Sequence, residues 1–303
     1  MTPARLSHAC IAETIGTFIL VFFGTGSVFV GVLTGAIDGV VQVGLVWGLG
    51  IGLAIYAVGA VSGAHLNPAV TVAMAALKRL PPARIVPYVA AQLVGAFLAS
   101  AILYGLFSGV LAEFEAKKGL VRGQPGSELS AMVFGEYFPN PAIFGTDEAA
   151  FRQVSSMQAM AAEAIGTCLL VFFILALTDT RNRSRPNGTS FAPFIGLTVA
   201  VIIAVVAPLT QAGLNPARDF APRLFSYFVG WGDIAIPGPR GGFLTVYIIA
   251  PILGGCVGAA IYQLLIGRSF GISSAPAAEV PKDHGDSGMD PDLPRQRSLP
   301  ASS

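Results

Sequence analysis

The sequence predicts an all-α membrane protein with six transmembrane helices and two re-entrant half-helices in an inverted repeat. Three observations carry this expectation. The chain is 53% hydrophobic and 12% charged, where soluble domains run near 25% charged. Its apolar residues come in runs of about 20, enough to cross a hydrocarbon core of roughly 30 Å. The second observation is a repeat: AETIGTFILVFF at Ala12–Phe23 and AEAIGTCLLVFF at Ala162–Phe173 agree at nine of twelve positions, at an offset of 150. The third is that each copy is followed by an Asn-Pro-Ala: HLNPAV at His65–Val70 and GLNPAR at Gly213–Arg218.

In chain order, the first apolar segment, near 11–33, is too long for a signal peptide, carries Glu13 and lacks a small-residue cleavage site, so it is a first span. The second lies near 40–61. Asn67 then heads the short stretch VTVAMAAL, and segments follow near 83–109, 157–179 and 191–209. Asn215 heads FAPRLFSYF, and the last segment lies near 243–267. The repeats cover about 8–110 and 157–268, separated by a loop over 111–156. Residues 269–303, rich in Pro, Ser and Asp, cannot bury a core and read as a disordered tail.

Each repeat holds three spans. Three is odd, so the second copy enters the bilayer upside down, and its site belongs at the midplane between the repeats. Arg5, Lys78, Arg79, Arg84, Arg181, Arg183, Arg185 and Arg268 flank one set of span ends, while the short loop TGAIDG has no basic residue. The positive-inside rule then puts both termini in the cytoplasm and the 111–156 loop outside.

The stretches after Asn67 and Asn215 are too short to span. Asn is a preferred N-cap, and Pro68 and Pro216 suit the first helical position, where a missing N–H costs nothing. Two half-helices from opposite sides would meet at their N-termini. Each terminus is partly positive and repels cations, and each Asn amide keeps donors for the oxygen of a neutral solute. Arg218 lies one turn beyond the second Asn-Pro-Ala. An intramembrane arginine is costly and functional, and its fixed donors and permanent charge can hold a hydroxyl while excluding cations. Trp47 sits about seven residues inside the external end of its span, or roughly 10 Å, and Ile203 about six residues, or roughly 9 Å. Both reach the level of Arg218, with Ala212 on the descending loop.

SGAHLNPAVT and GLNPARDFAPRL resemble the two signature loops of the aquaporin superfamily, and the resemblance extends from Ala12 to about Arg268. The branch it most resembles is the glycerol facilitators, through Asp219 after Arg218, Arg223 four residues further on, Pro251-Ile252, VRG at Val121–Gly123 and FPNP at Phe138–Pro141. The resemblance implies an aquaporin-like channel domain over 1–268, homotetrameric, in the cell membrane and without a cofactor. It would pass glycerol, other small uncharged solutes such as urea, and some water, and would exclude ions and protons. It assigns the constriction to Trp47, Ile203, Ala212 and Arg218. Glycerol facilitators typically carry Gly in place of Ile203 and Phe in place of Ala212. The quartet is closer to that of nodulin-26-like plant channels, which also pass glycerol and neutral metalloid acids. The water-selective branch typically has His in place of Ile203.

Two intramembrane carboxylates, Glu13 and Glu163, occupy equivalent repeat positions. Either they couple protons or they accept hydrogen bonds from the re-entrant loops, and the symmetry and the resemblance both favour the second. Asp219 has two readings. The resemblance buries it against loop N–H groups, while its i,i+4 spacing makes it a salt-bridge partner for Arg223. His65 reads as a hydrogen-bonding group of its loop. The net charge of +1 gives no argument for a nucleic-acid partner. Cys10, Cys168 and Cys256 lie far apart in apolar runs and fit no metal site. An enzyme is disfavoured for want of any nucleophile–base set. A coupled secondary transporter would want a carboxylate near the waist beyond the paired glutamates.

Overall fold

The computed structural model describes residues 5–188 and 190–271. Six of its helices are long and apolar enough to cross a membrane: Leu6–Thr34, Gly39–Ser62, Pro82–Lys118, Ser156–Thr178, Phe191–Thr210 and Thr245–Gly267. Two shorter helices, Pro68–Ala76 and Pro216–Ser226, follow the second and fifth spans. The outward faces of the spans are greasy. Leu49 is 69% exposed, Leu106 65%, Val205 73% and Leu265 66%, which in water would be an aggregation surface and in lipid is a solvated one. The chain is an integral membrane protein.

The packing repeats across the two halves. The first span packs on the second and third, the fourth on the fifth and sixth, and the second on the fifth between the halves. Each half-helix lies against the third span of the other repeat, so neither half of the sequence completes its own fold. Small residues make these approaches possible, as membrane helix packing requires. A Cβ on Gly95 of the third span would strike the Thr14 carbonyl, and one on Gly254 of the sixth would strike the Ala164 carbonyl. Thr14 and Ala164 are equivalent in the repeat, so the same close contact is built twice.

The third span departs from the sequence expectation. Instead of ending near residue 109 it runs on to Lys118 and stops at Gly119, whose φ of 65° only glycine adopts cheaply. The extension is held by packing. Leu111 is fully buried in a cluster with Phe134 and Trp231. Glu115 pairs with Arg122 at 2.9 Å, and the Arg122 guanidinium lies 4.4 Å over the Trp231 ring. The loop that follows is therefore a folded cap. It contains helical turns at Glu128–Ala131, Pro141–Phe144 and Glu148–Phe151. Asn140 ties it to the end of the fifth span by donating to the Ala207 carbonyl at 3.0 Å, which also accepts from the Gln211 N–H at the helix end. At the other end a short helical turn, Ser269–Gly271, follows the sixth span. The expected disordered tail lies otherwise outside the described residues.

Candidate functional site

The two half-helices begin at Asn67 and Asn215, and each asparagine caps its own helix. The Asn67 Oδ1 accepts from the Ala69 N–H at 2.8 Å, and the Asn215 Oδ1 from those of Ala217 and Arg218 at 3.0 and 3.3 Å. Pro68 and Pro216 fill the first helical positions. Each amide then donates across the pseudo-twofold: Asn67 Nδ2 to the Leu214 carbonyl at 2.9 Å, and Asn215 Nδ2 to the Leu66 carbonyl at 2.8 Å. Of the two N–H groups on each amide, one fastens the half-helices together and one is left to face a solute.

The loops that deliver these asparagines are strained. Ala64, Leu66, Ala212 and Leu214 all have φ between 49° and 61°, a region that non-glycine residues rarely occupy. The glutamates hold them there. Glu13 accepts from the N–H groups of His65 and Leu66 at 2.9 and 2.7 Å, and from the Gln92 amide at 2.8 Å. Glu163 accepts from those of Gly213 and Leu214 at 2.9 and 2.7 Å, and from the Thr210 hydroxyl at 2.6 Å. The geometry is that of the structural reading of the pair. His65 bonds through Nδ1 to the Thr71 hydroxyl at 3.3 Å, within its own loop and half-helix, while its ring also borders the cavity.

Between the repeats lies a cavity of about 510 Å³, bordered by both asparagines, Trp47, Ile203, Ala212 and Arg218. All four residues expected at the constriction thus meet in one place. The Arg218 guanidinium lies 4.5 Å from the Trp47 ring, a cation–π stack that fixes its plane. Trp47 is only 6% exposed, so it is an interior wall and not an interfacial anchor. Gly24 of the first span makes room for its ring; a Cβ there would collide with the indole. The other faces are aliphatic: Leu20, Ile51, Leu170, Ile195 and Val199. The cavity is therefore lined both by hydrogen-bond donors and by hydrocarbon.

Asp219 fulfils both of its sequence readings. Its Oδ1 accepts from the Glu136 N–H at 2.7 Å, and Arg223 donates to its two oxygens at 3.1 and 2.9 Å. Arg223 in turn reaches the carbonyls of Ala235, at 2.9 Å, and of Glu136. This fully buried pair is a rivet between the second half-helix and the loop that follows the third span.

One residue of the site escaped the sequence reading. Glu136 forms an ion pair with Arg218, whose Nη1 also donates to the Phe134 carbonyl at 3.1 Å. The signal was present in MVFGEYFPNP, an acidic residue inside an otherwise uncharged run. It was masked because the partner lies far along the chain. Burial raises the Glu136 carboxyl above the usual carboxylate range, with the guanidinium pulling it back down.

Comparison with known proteins agrees with this architecture. The model of the family described as major intrinsic protein matches residues 1–262. The chain is 42% identical over 282 residues to the glycerol uptake facilitator protein of Pseudomonas aeruginosa, covering 93% of this chain and 96% of that one. It is 41% identical to the glycerol uptake facilitator protein of Escherichia coli K12, with 88% and 90% coverage. It is also 41% identical to a propanediol uptake facilitator of Citrobacter freundii, with 88% and 94% coverage. The X-ray structure of the aquaglyceroporin from Plasmodium falciparum superposes with a TM-score of 0.74 at 25% identity, covering 88% of this chain and all of that one. With six spans, two half-helices meeting at their asparagines and a family match over nearly all the described residues, the chain belongs to the major intrinsic protein family.

Proposed function

We propose that the chain is a passive channel for glycerol and other small uncharged solutes, with some permeability to water and exclusion of ions and protons. The observation that carries this reading is the mixed lining of the cavity, with Arg218 over the Trp47 ring and aliphatic side chains in the same cavity. A polyol presents hydroxyls along one edge and C–H along the other, which matches such a slot. An ion would lose hydration against the apolar wall and meet the positive ends of two half-helices at the waist. The names of the relatives, glycerol and propanediol uptake facilitators, point to the same solute class. Trp47, Ile203, Ala212 and Arg218 set the size and chemistry of the slot, Asn67 and Asn215 orient the solute, and Glu13 and Glu163 hold the loops.

Ile203 and Ala212 favour one further reading, in which neutral metalloid acids also pass, because this quartet resembles that of channels that carry them. The protein sits in the cell membrane as a homotetramer, as the family resemblance implies, with both termini cytoplasmic, as the basic residues at one set of span ends require. Stopped-flow light scattering on proteoliposomes tests the reading, with glycerol, urea, boric acid and water gradients. Glycerol flux well above that of empty liposomes is expected. Water flux without any glycerol flux would refute it.

A further inference from the structure

Glu136 stands out among the buried carboxylates near the pore. Its side chain is wholly buried, and apart from the Arg218 guanidinium neither of its oxygens has a hydrogen-bond partner. Its neighbours are better served. Glu163 accepts three hydrogen bonds, and Asp219 accepts one from a backbone N–H and two from Arg223. The Glu136 main chain is pinned on both sides, its N–H to Asp219 and its carbonyl to Arg223. The carboxylate is therefore delivered to Arg218 by a rigid loop and not by chance of rotamer.

We propose that Glu136 is a positioning residue of the pore: its carboxylate holds and neutralises the Arg218 guanidinium, and protonation of that carboxylate releases the guanidinium to the passing solute, so that glycerol slows relative to water as the pH falls. The inference rests on the reading of the pore as a glycerol pathway. With Glu136 ionised, its negative charge offsets the positive charge of Arg218, and two guanidinium nitrogens are engaged, one by the Glu136 carboxylate and one by the Phe134 carbonyl. When the carboxylate takes a proton from water, the ion pair is lost. Arg218 keeps its bond to the Phe134 carbonyl and its stack on Trp47, so it stays at the constriction with more free donors and an uncompensated charge. A solute with several hydroxyls is held longer there than water.

Charged and titratable groups face Glu136 from every element packed against it, and among the carboxylates Glu136 is the one paired with Arg218. From the second half-helix come Arg218, Asp219 and Arg223, from the fourth span Glu163, from the sixth Tyr247, and beside it Tyr137. Both arginines stay charged. Tyr137 and Tyr247 donate their hydroxyls to carbonyls at 2.9 and 3.2 Å, which holds them neutral. Asp219 accepts from the Glu136 N–H and from Arg223, and Glu163 from the Thr210 hydroxyl and two loop N–H groups. The upward pull of burial on Glu136 brings its titration closer to neutrality than that of an exposed glutamate.

The test is the glycerol-to-water permeability ratio of proteoliposomes between about pH 5 and pH 9, against the pH-independent flux of empty ones. For the native chain the ratio should fall toward acid pH along a single-proton curve. Glu136→Gln, which cannot ionise, should lose that dependence and stay at the low acid value throughout. Should the glutamine variant fail to insert, Glu136→Asp serves instead: it keeps a titrating group at a different distance from Arg218, so its curve should persist with a displaced midpoint. A native ratio that does not vary with pH, a Gln variant that retains the native curve, or an Asp variant with the native midpoint would each overturn the proposal. Absence of glycerol flux at every pH would overturn the glycerol reading itself, which keeps the two failures apart.

Discussion

At the scale of single residues, the slot is made by what Ala212 leaves out. Ala212 borders the same cavity as Trp47 and Ile203, and on the proposed reading its methyl group leaves free the space that a phenylalanine would fill. Ala212→Phe should therefore narrow the opening and slow the bulkier solutes first, leaving water least affected. The readout is glycerol flux relative to water, corrected for protein in the membrane; an unchanged ratio would show that Ala212 does not line the constriction. Arg218 has a different consequence, because its carboxylate partner stays behind when it is removed. Arg218→Ala removes the permanent positive charge, and above the raised titration range of Glu136 it leaves a buried carboxylate without its counter-ion. The variant should conduct cations that the native channel rejects, and Arg218→Ala combined with Glu136→Gln should conduct fewer. Ion currents or dye-reported cation influx decide it; equal leak in the two variants would mean that Glu136 contributes nothing to the potential at the waist.

At the scale of elements, the half-helices show what a sequence can and cannot reveal. Their starts were legible because capping is local: Asn-Pro specifies a cap and a first turn wherever it stands. The ion pair of Arg218 with Glu136 was not, since it joins the second half-helix to a distant loop whose sequence has no periodicity to place it. The end of the third span was missed for the same reason. Lys117 and Lys118 look like a water-facing boundary, yet Leu111 and Glu115 find their partners in the folded loop. The glutamates, by contrast, declared their role through the repeat. Each holds two strained loop N–H groups, and Glu163→Gln replaces one carboxylate oxygen with a donor that faces other donors. Losing a charge-assisted bond costs about 1.5–3 kcal/mol, so the variant should insert in lower yield and unfold at lower temperature in detergent, while the molecules that fold conduct normally. Normal yield with an altered pH dependence of flux would instead revive proton coupling at Glu163.

At the scale of the whole molecule, the inverted repeat decides between a channel and a pump. A coupled transporter also places its site between inverted repeats, but it must close one side while the other opens. Here a single cavity reaches from Arg79 and Thr178 past both asparagines to Trp47 and Arg218. The elements that would have to rock are cross-tied at the centre by Asn67 to Leu214 and Asn215 to Leu66. Each half-helix is also packed on the opposite repeat's third span, so moving one repeat against the other would break both ties and both interfaces at once. Nor is a driving ion welcome: the helix N-termini that meet at the midplane are positive, and the paired glutamates are occupied by loop N–H groups. Transport should therefore follow the solute gradient alone. Vesicles loaded with the protein should equilibrate radiolabelled glycerol to the external concentration and no further, with or without an imposed pH or sodium gradient. Accumulation above the external concentration, driven by either gradient, would show that the central ties do open, and the rigid-pore account would fail with them.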